Sequence, residues 1–196
     1  MSTTETTEIR RLRADARRNR ERILAAAKEV FAEQGEEAQM DDVARRAGVG
    51  VGTVYRHFPS KEILLGELVR EKFETFTERA REALEKPDAW EAFANLLRDN
   101  AALMAENVAI QDVLSRTGAA WEYAEPTRLK LEEVTDELIQ RAKREGKMRK
   151  DFKVQELGML MSGLCASMGS AYPVQSDWRR HLEILLDGLR ASPRAG

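Results

Sequence analysis

Cysteine, histidine and long apolar runs are scarce in this 196-residue chain, and each scarcity excludes a class of protein. Cys165 is the only cysteine, so no disulfide can form within the chain, and we expect a reducing compartment. No apolar run approaches the roughly 18–20 residues that a membrane span needs, and the N-terminus has no apolar signal core. The sequence therefore predicts a soluble cytoplasmic protein with no membrane segment.

Residues that carry catalysis or bind metals are also few. His57 and His181 are the only histidines, Cys165 lies in an apolar segment, and the carboxylates are scattered over charged faces. Neither a phosphate-binding loop nor a metal-ligand spacing occurs. We expect no enzymatic activity, no cofactor and no metal site.

The overall charge is close to neutral. The formal net charge is −2, although 34% of the residues are charged. A protein that binds nucleic acid indiscriminately would usually be strongly basic. Any nucleic-acid role must therefore come from local charge.

Alternation with period two is absent over any useful length, and apolar residues instead recur at helical spacing. This pattern predicts an all-α protein of about nine helices. The first helix is predicted over residues 14–34 and ends at Gly35, short helices follow over 40–47 and 51–58, and Ser60 caps a fourth. Pro126, in a position typical of a first helical turn, is predicted to start a later helix.

A helix, a glycine turn and a short helix form the pattern of a helix-turn-helix. Ala44 and Ala47 are small enough for two helices to cross closely, and Gly48 tolerates the positive φ that the turn needs. The short helix after the turn is predicted to expose residues that can contact a partner: Val51, Gly52, Thr53, Tyr55, Arg56 and His57.

The run DDVARRAGVGVGTVYRHFPSKEILL, residues 41–65, resembles the DNA-binding domain of TetR-family transcriptional regulators. The preceding RRNRERILAAAKEVFAEQG is similar to the first helix of that family. The resemblance covers residues 17–76 and departs from the family pattern at two positions. The family usually has Ser or Thr where Gln39 stands, and often Ser where Gly50 stands, so two helix N-caps are weakened.

The resemblance implies operator DNA as a partner and gives each outward residue a role. N-terminal side chains of a recognition helix reach the major groove, where Val51 and Thr53 can contact thymine methyls and Arg56 a guanine or a phosphate. By resemblance, Tyr55 and His57 bind backbone phosphates. The expected DNA contacts are Val51, Gly52, Thr53, Tyr55, Arg56, His57, Lys61, Arg17 and Arg20.

Lys61 stands in the first turn of the fourth helix, where the helix dipole disfavours a positive charge. A phosphate at the same N-terminus would be attracted by both the lysine and the dipole. The family uses this position for a phosphate contact, and we expect the same here.

The resemblance divides the chain into four parts: a flexible basic arm over residues 1–16, the DNA-binding domain over 17–80, an effector-binding and dimerisation domain over 81–192, and a tail over 193–196. The arm and the first helix supply local positive charge through Arg10, Arg11, Arg13, Arg17, Arg18, Arg20 and Arg22. A flexible basic arm can neutralise phosphates or enter a minor groove.

Residues of the C-terminal domain, most of them apolar or aromatic, are candidates for an effector pocket that takes a small apolar or amphipathic molecule. Plain core packing is the alternative for each of them. Trp121 and Tyr123 flank a predicted loop and are expected to move on binding. The candidates are Phe93, Leu97, Asn100, Met104, Trp121, Tyr123, Leu131, Val134, Met161 and Cys165.

The last two helices are predicted to form a homodimer interface, because the segment VQELGMLMSGLCASMGSAY is rich in small residues and methionine. A twofold dimer would read a pseudo-palindromic operator. Effector and DNA would weaken each other's binding by the same factor, with the fourth helix as the connecting lever. A DNA-binding dimer that senses a protein partner or nothing, and an activator in place of a repressor, are the open alternatives.

Overall fold

Eight α-helices make up the computed structural model, which describes residues 3–106, 108, 111, 113–114, 117–169 and 177–191. Within these residues the only β-type pairing is an isolated bridge between Met148 and Arg190. The all-α prediction is confirmed, with eight described helices against the nine or so expected. The helices are α1 (Thr3–Gln34), α2 (Met40–Ala47), α3 (Val51–His57), α4 (Lys61–Leu84), α5 (Ala89–Ala105), α6 (Gly118–Arg144), α7 (Val154–Gly169) and α8 (Trp178–Leu189).

Helix α1 is longer than predicted. It begins at Thr3, so the described part of the predicted flexible arm is continuous with the helix instead of preceding one that starts at Ala14. Neither glycine nor proline interrupts residues 3–34, and most of them are good helix formers. A 3₁₀ turn over Gly35–Glu37 follows, and Gly35 takes a φ of +64°.

Helix α6 corrects a second prediction. It begins at Gly118 and contains Pro126, so Pro126 does not start the helix, and Trp121 and Tyr123 lie inside it and do not flank a loop. An interior proline costs about 3 kcal/mol, which tertiary contacts must offset. The Trp121 indole N–H donates to the Leu114 carbonyl at 2.8 Å, and its ring packs edge-on against Phe73 at 5.5 Å between centroids.

Helix α4 belongs to both hydrophobic cores of the protein. The first core holds α1–α3 together through buried side chains such as Phe31, Val54 and Phe58, and α4 adds Leu64 and Leu68 to it. The second core lies among α5, α6, α7 and α8, where α4 contributes its C-terminal residues Ala80 and Ala83. Helix α4 makes its most extensive contacts with α6.

Side-chain caps fix where three of the helices begin. Ser60 accepts a hydrogen bond from the Ile63 N–H at 3.3 Å, as its sequence position predicts for an N-cap. Asp88 caps α5 and Asp177 caps α8 in the same way. Each such cap contributes about 1 kcal/mol by satisfying an otherwise unpaired N–H.

No helix in the described ranges is both long enough and apolar enough to cross a lipid bilayer.

Candidate nucleic-acid interface and body cavity

The turn between α2 and α3 is built on Gly48. Its φ of +62° lies in the left-handed region, and its N–H closes α2 onto the carbonyls of Ala44 and Arg45. The Arg22 guanidinium of α1 donates to the carbonyls of Ala47 and Gly48, the latter at 3.2 Å. Arg22 therefore satisfies the C-terminal carbonyls of α2 and fixes the turn, a role that its place in an arginine-rich run did not indicate.

Helix α3 has one buried and one exposed face. Val54 is fully buried and Phe58, which caps the helix, is 2% exposed, whereas Val51 and Tyr55 are 39% and 46% exposed. A Cβ built at Gly52 would meet no atom of the described residues within 4 Å, so this position on the face is open. Large apolar and aromatic side chains held outward by a buried anchor form a surface suited to a macromolecular partner.

The polar residues of α3 lie on or beside the same face. The Arg56 guanidinium donates to the Thr53 hydroxyl at 3.1 Å, which orders both side chains at the surface. Desolvation, with smaller contributions from the charges of Arg56 and Arg20, lowers the pKa of His57. The lowered pKa favours the neutral imidazole, which retains one N–H that can donate to a phosphate oxygen.

Lys61, the first residue of α4, is held by the protein itself. Its ammonium donates to the Glu36 carbonyl in the 3₁₀ turn and lies 5.5 Å from the centre of the Phe31 ring. The structure thus places the charge beside the N-terminus of α4, as predicted, and adds two contacts that the sequence did not reveal. The predicted phosphate contact requires Lys61 to leave or share the carbonyl.

Arg17 and Arg20 differ in their surroundings. Arg17 is exposed and pairs with Glu21 at 3.6 Å. Arg20 points towards the protein, where it pairs with Glu67 of α4 and lies 5.6 Å from the centre of the Phe58 ring. The sequence indicated a DNA contact for both, and the structure gives Arg20 an internal role that joins α1 to α4.

A cavity of about 250 Å³ lies between α4, α5, α6 and α7. We call it the body cavity, and the helices α5–α8 the body of the protein. It brings together six of the ten residues that the sequence indicated for a pocket: Leu97, Asn100, Met104, Trp121, Leu131 and Met161. Two polar residues of its lining, Asn100 and Thr135, are almost fully buried. The arrangement is an apolar hollow with a few fixed polar groups, which suits a small molecule.

Four of the predicted pocket residues lie outside the cavity lining. Phe93 is fully buried between Trp90 and Phe152 in the second core. Tyr123 is exposed and packs against Gly66 of α4. The remaining two pack against the hydrophobic cores: Val134 and Cys165.

Helix α4 supplies lining residues that sequence reasoning missed. Lys72, Phe73 and Phe76 line the cavity, and α6 adds the ion pair between Arg128 and Glu132. The signal was present in the sequence, because Lys72 stands four residues after Leu68 and four before Phe76 on an otherwise apolar stripe. Within the described part of the chain, no cluster of three or more His, Cys, Asp or Glu side chains could hold a metal ion.

Two parts of the chain match known protein families. Residues 23–68 match the bacterial regulatory proteins of the tetR family, and residues 88–191 match the C-terminal domain of SbtR-like transcriptional regulators. The second match alone spans more than half of the chain. The chain belongs to the TetR family.

Curated relatives of this TetR-family protein match it over part of their length. The fatty acid metabolism regulator protein of Bacillus subtilis is 40% identical over 92 residues, which is 45% of this chain and 47% of that protein. The HTH-type transcriptional regulator SAR0097 of Staphylococcus aureus is 36% identical over 84 residues, 41% of this chain and 44% of that protein. The chain thus spans a little under half the length of these curated relatives.

Solved structures match nearly the whole TetR-family chain. A TetR regulatory protein from Mycobacterium vanbaalenii is 33% identical, with a TM-score of 0.63, over 91% of this chain and 99% of that one. FadR from Bacillus subtilis, solved in complex with stearoyl-CoA, is 24% identical with a TM-score of 0.69 over 86% and 98% of the two chains. The second likeness shows the fold alone.

Proposed function

We propose that this protein is a dimeric transcriptional repressor that binds a pseudo-palindromic operator through α3 and is released by a small apolar or amphipathic effector. The exposed face of α3 carries the proposal. Val51, Tyr55 and Arg56 are held outward there because Val54 and Phe58 are anchored in the core. A helix-turn-helix inserts a face of this kind into the major groove.

Exposed apolar side chains on the last two helices support dimerisation. Met159 of α7 is 75% exposed and Ile184 of α8 is 51% exposed. Exposed side chains of this size on two neighbouring helices favour burial against a second copy, as in a four-helix bundle between subunits. A twofold dimer presents two α3 helices to half-sites about one DNA turn apart.

The cavity and α4 support an effector response. Helix α4 lines the cavity with Phe73 and Phe76 and packs against α1 through its first half, so both proposed sites contact the same helix. If the effector favours a different position of α4, it lowers the affinity for DNA. DNA must then lower the affinity for the effector by the same factor.

A substitution of Tyr55 tests the DNA-binding face. Tyr55→Ala should weaken binding to the operator by about tenfold or more, measured by fluorescence anisotropy, because one phosphate contact is lost. Leu129→Ala is the matched control, since Leu129 is similarly exposed but lies on α6 of the body. Both variants should melt at the temperature of the unmodified protein, and undiminished operator binding by Tyr55→Ala would contradict the proposal.

A further inference from the structure

We propose that the body cavity recognises an amphipathic anion, whose head group pairs with the Lys72 ammonium and whose short apolar part packs against Phe73, Phe76 and Trp121. This inference rests on the proposed effector function, because it names the chemical class of the molecule that fills the same cavity. Three observations carry it: the surroundings of Lys72, the charges of the other lining residues and the size of the cavity.

Lys72 lines both this cavity and a second hollow, whose lining also includes Glu71, Glu74 and Gln111. Its ammonium lies 5.7 Å from the centre of the Phe76 ring and donates to the Gln111 side-chain oxygen at 2.6 Å. The neighbouring acids on α4 are already paired, Glu71 with Lys28 at 3.0 Å and Glu74 with Arg70. Of the ion pairs between described residues none includes Lys72. The neutral amide of Gln111 accepts its hydrogen bond, and Cys165 offsets part of the desolvation of its charge.

The other charges of the cavity lining balance each other. Arg128 pairs with Glu132, which also lines the cavity, and with Glu125 at 2.6 Å. The described lining therefore holds two cations and one anion, and the unmatched positive charge is that of Lys72. A ligand with one negative charge would give Lys72 a partner of opposite charge, which none of the described ion pairs supplies.

Burial makes the charge of Lys72 costly in the empty cavity. Desolvation lowers the pKa of its ammonium to about 8. The group is still mostly protonated at pH 7, so the protein carries a poorly solvated cation beside an apolar hollow. An anionic head group would compensate that lost solvation, whereas a cationic one would add repulsion.

The cavity volume limits the apolar part of the ligand. About 250 Å³ is below the roughly 300–1,000 Å³ of typical ligand pockets, which favours a short chain. The buried side chains of Asn100 and Thr135 add neutral hydrogen-bonding groups to the lining. Octanoate combines a short apolar chain with one carboxylate and is therefore a suitable probe.

Isothermal titration of the full-length protein with three probes of equal chain length tests the assignment. Octanoate should bind at least tenfold more tightly than 1-octanol, and octylammonium should not bind in the same concentration range. Lys72→Met keeps the aliphatic length, removes the charge and should weaken octanoate binding at least tenfold. Lys130→Met is the matched control, since Lys130 is exposed on α6, and it should bind octanoate as the unmodified protein does.

Separate outcomes decide the inference and the proposed function. Equal binding of octanoate and 1-octanol, undiminished octanoate binding by Lys72→Met, or no octanoate binding at all would overturn the anion assignment. Release of operator DNA by 1-octanol or octylammonium would preserve the effector function while it overturns the assignment. Lys72-dependent octanoate binding that leaves the operator complex intact would support the assignment and contradict the effector function.

Discussion

The hydroxyl of Tyr123 donates a hydrogen bond of 2.8 Å to the carboxylate of Glu67, and this bond ties α6 to α4. Glu67 is only 2% exposed, and it also accepts hydrogen bonds from Arg20 of α1 and from Arg70 of α4, the latter at 2.9 Å. One buried carboxylate thus contacts α1 of the N-terminal helix-turn-helix unit through Arg20 and α6 of the C-terminal part through Tyr123. We expect this cluster to carry part of the coupling between them.

Removing the Glu67 carboxylate should destabilise the protein strongly. Glu67→Ala leaves the partly buried Arg20 without its partner and Arg70 with Glu74 alone, and the loss of one member of such a cluster typically costs about 3–5 kcal/mol. Urea unfolding of Glu67→Ala and of a control variant measures the loss of free energy of unfolding. Glu82→Ala in the same helix is the control, and because Glu82 is exposed it should cost less than about 0.5 kcal/mol. Equal costs would show that Glu67 has no structural role.

Arg20 and Tyr123 should be energetically coupled although they lie in different helices. The double variant Arg20→Met with Tyr123→Phe should differ from the sum of the single variants by about 0.5 kcal/mol or more, since both contact Glu67. Urea unfolding of the four proteins gives the coupling energy. The pair Arg17→Met with Tyr123→Phe should be additive, because Arg17 pairs with Glu21 instead. Additivity in both pairs would rule out the cluster as a link.

Gly66 should not tolerate a side chain. A Cβ at this position would lie 2.8 Å from the side chain of Tyr123, so α4 and α6 would have to separate. Gly66→Ala should therefore cost about 1–3 kcal/mol in thermal or urea unfolding. Gly118→Ala, at the start of α6, has open space at the same distance and should be neutral or slightly stabilising. A neutral Gly66→Ala would mean that the two helices pack less closely than in the structure.

Lys72 should make the stability of the protein depend on pH between about 8 and 10.5. Its pKa is lowered from 10.5 to about 8 on folding, so the unfolded chain binds more protons in this window and folding becomes more favourable as the pH rises. Below pH 8 the penalty is fully present. Lys72→Met should be more stable than the unmodified protein at pH 7, and urea unfolding should show that advantage shrinking towards pH 10. A constant difference across the range would contradict the burial of a charged Lys72.

The helix-turn-helix could be predicted from sequence because its determinants are local. Gly48 must take a positive φ, Ser60 caps the helix that it precedes, and Val54 and Phe58 follow helical spacing, so each signal lies within a few residues of the structure it fixes. The resemblance to TetR regulators depended on this stretch and on the helix that precedes it, within residues 17–76.

Long-range contacts explain what the sequence did not reveal. The partner of Arg20 is Glu67, 47 residues away, so the inward direction of that arginine had no local signal. Helix α6 continues through Pro126, and its Trp121 contacts Leu114 and Phe73, the latter 48 residues away, so neither feature had a local signal. Whether an apolar stripe encloses a cavity depends on how the helices cross. Leu97 lines the cavity and Phe93 does not, although both follow the same helical spacing along α5.

Selection of binding sites from a library of random DNA duplexes tests the central claim most directly. The unmodified protein should enrich pseudo-palindromic sequences whose half-site centres lie about 10 base pairs, or a multiple of this spacing, apart. Tyr55→Ala should enrich them weakly or not at all. Failure of the unmodified protein to enrich any sequence, or enrichment by Tyr55→Ala to the same extent, would contradict a regulator that reads DNA through α3.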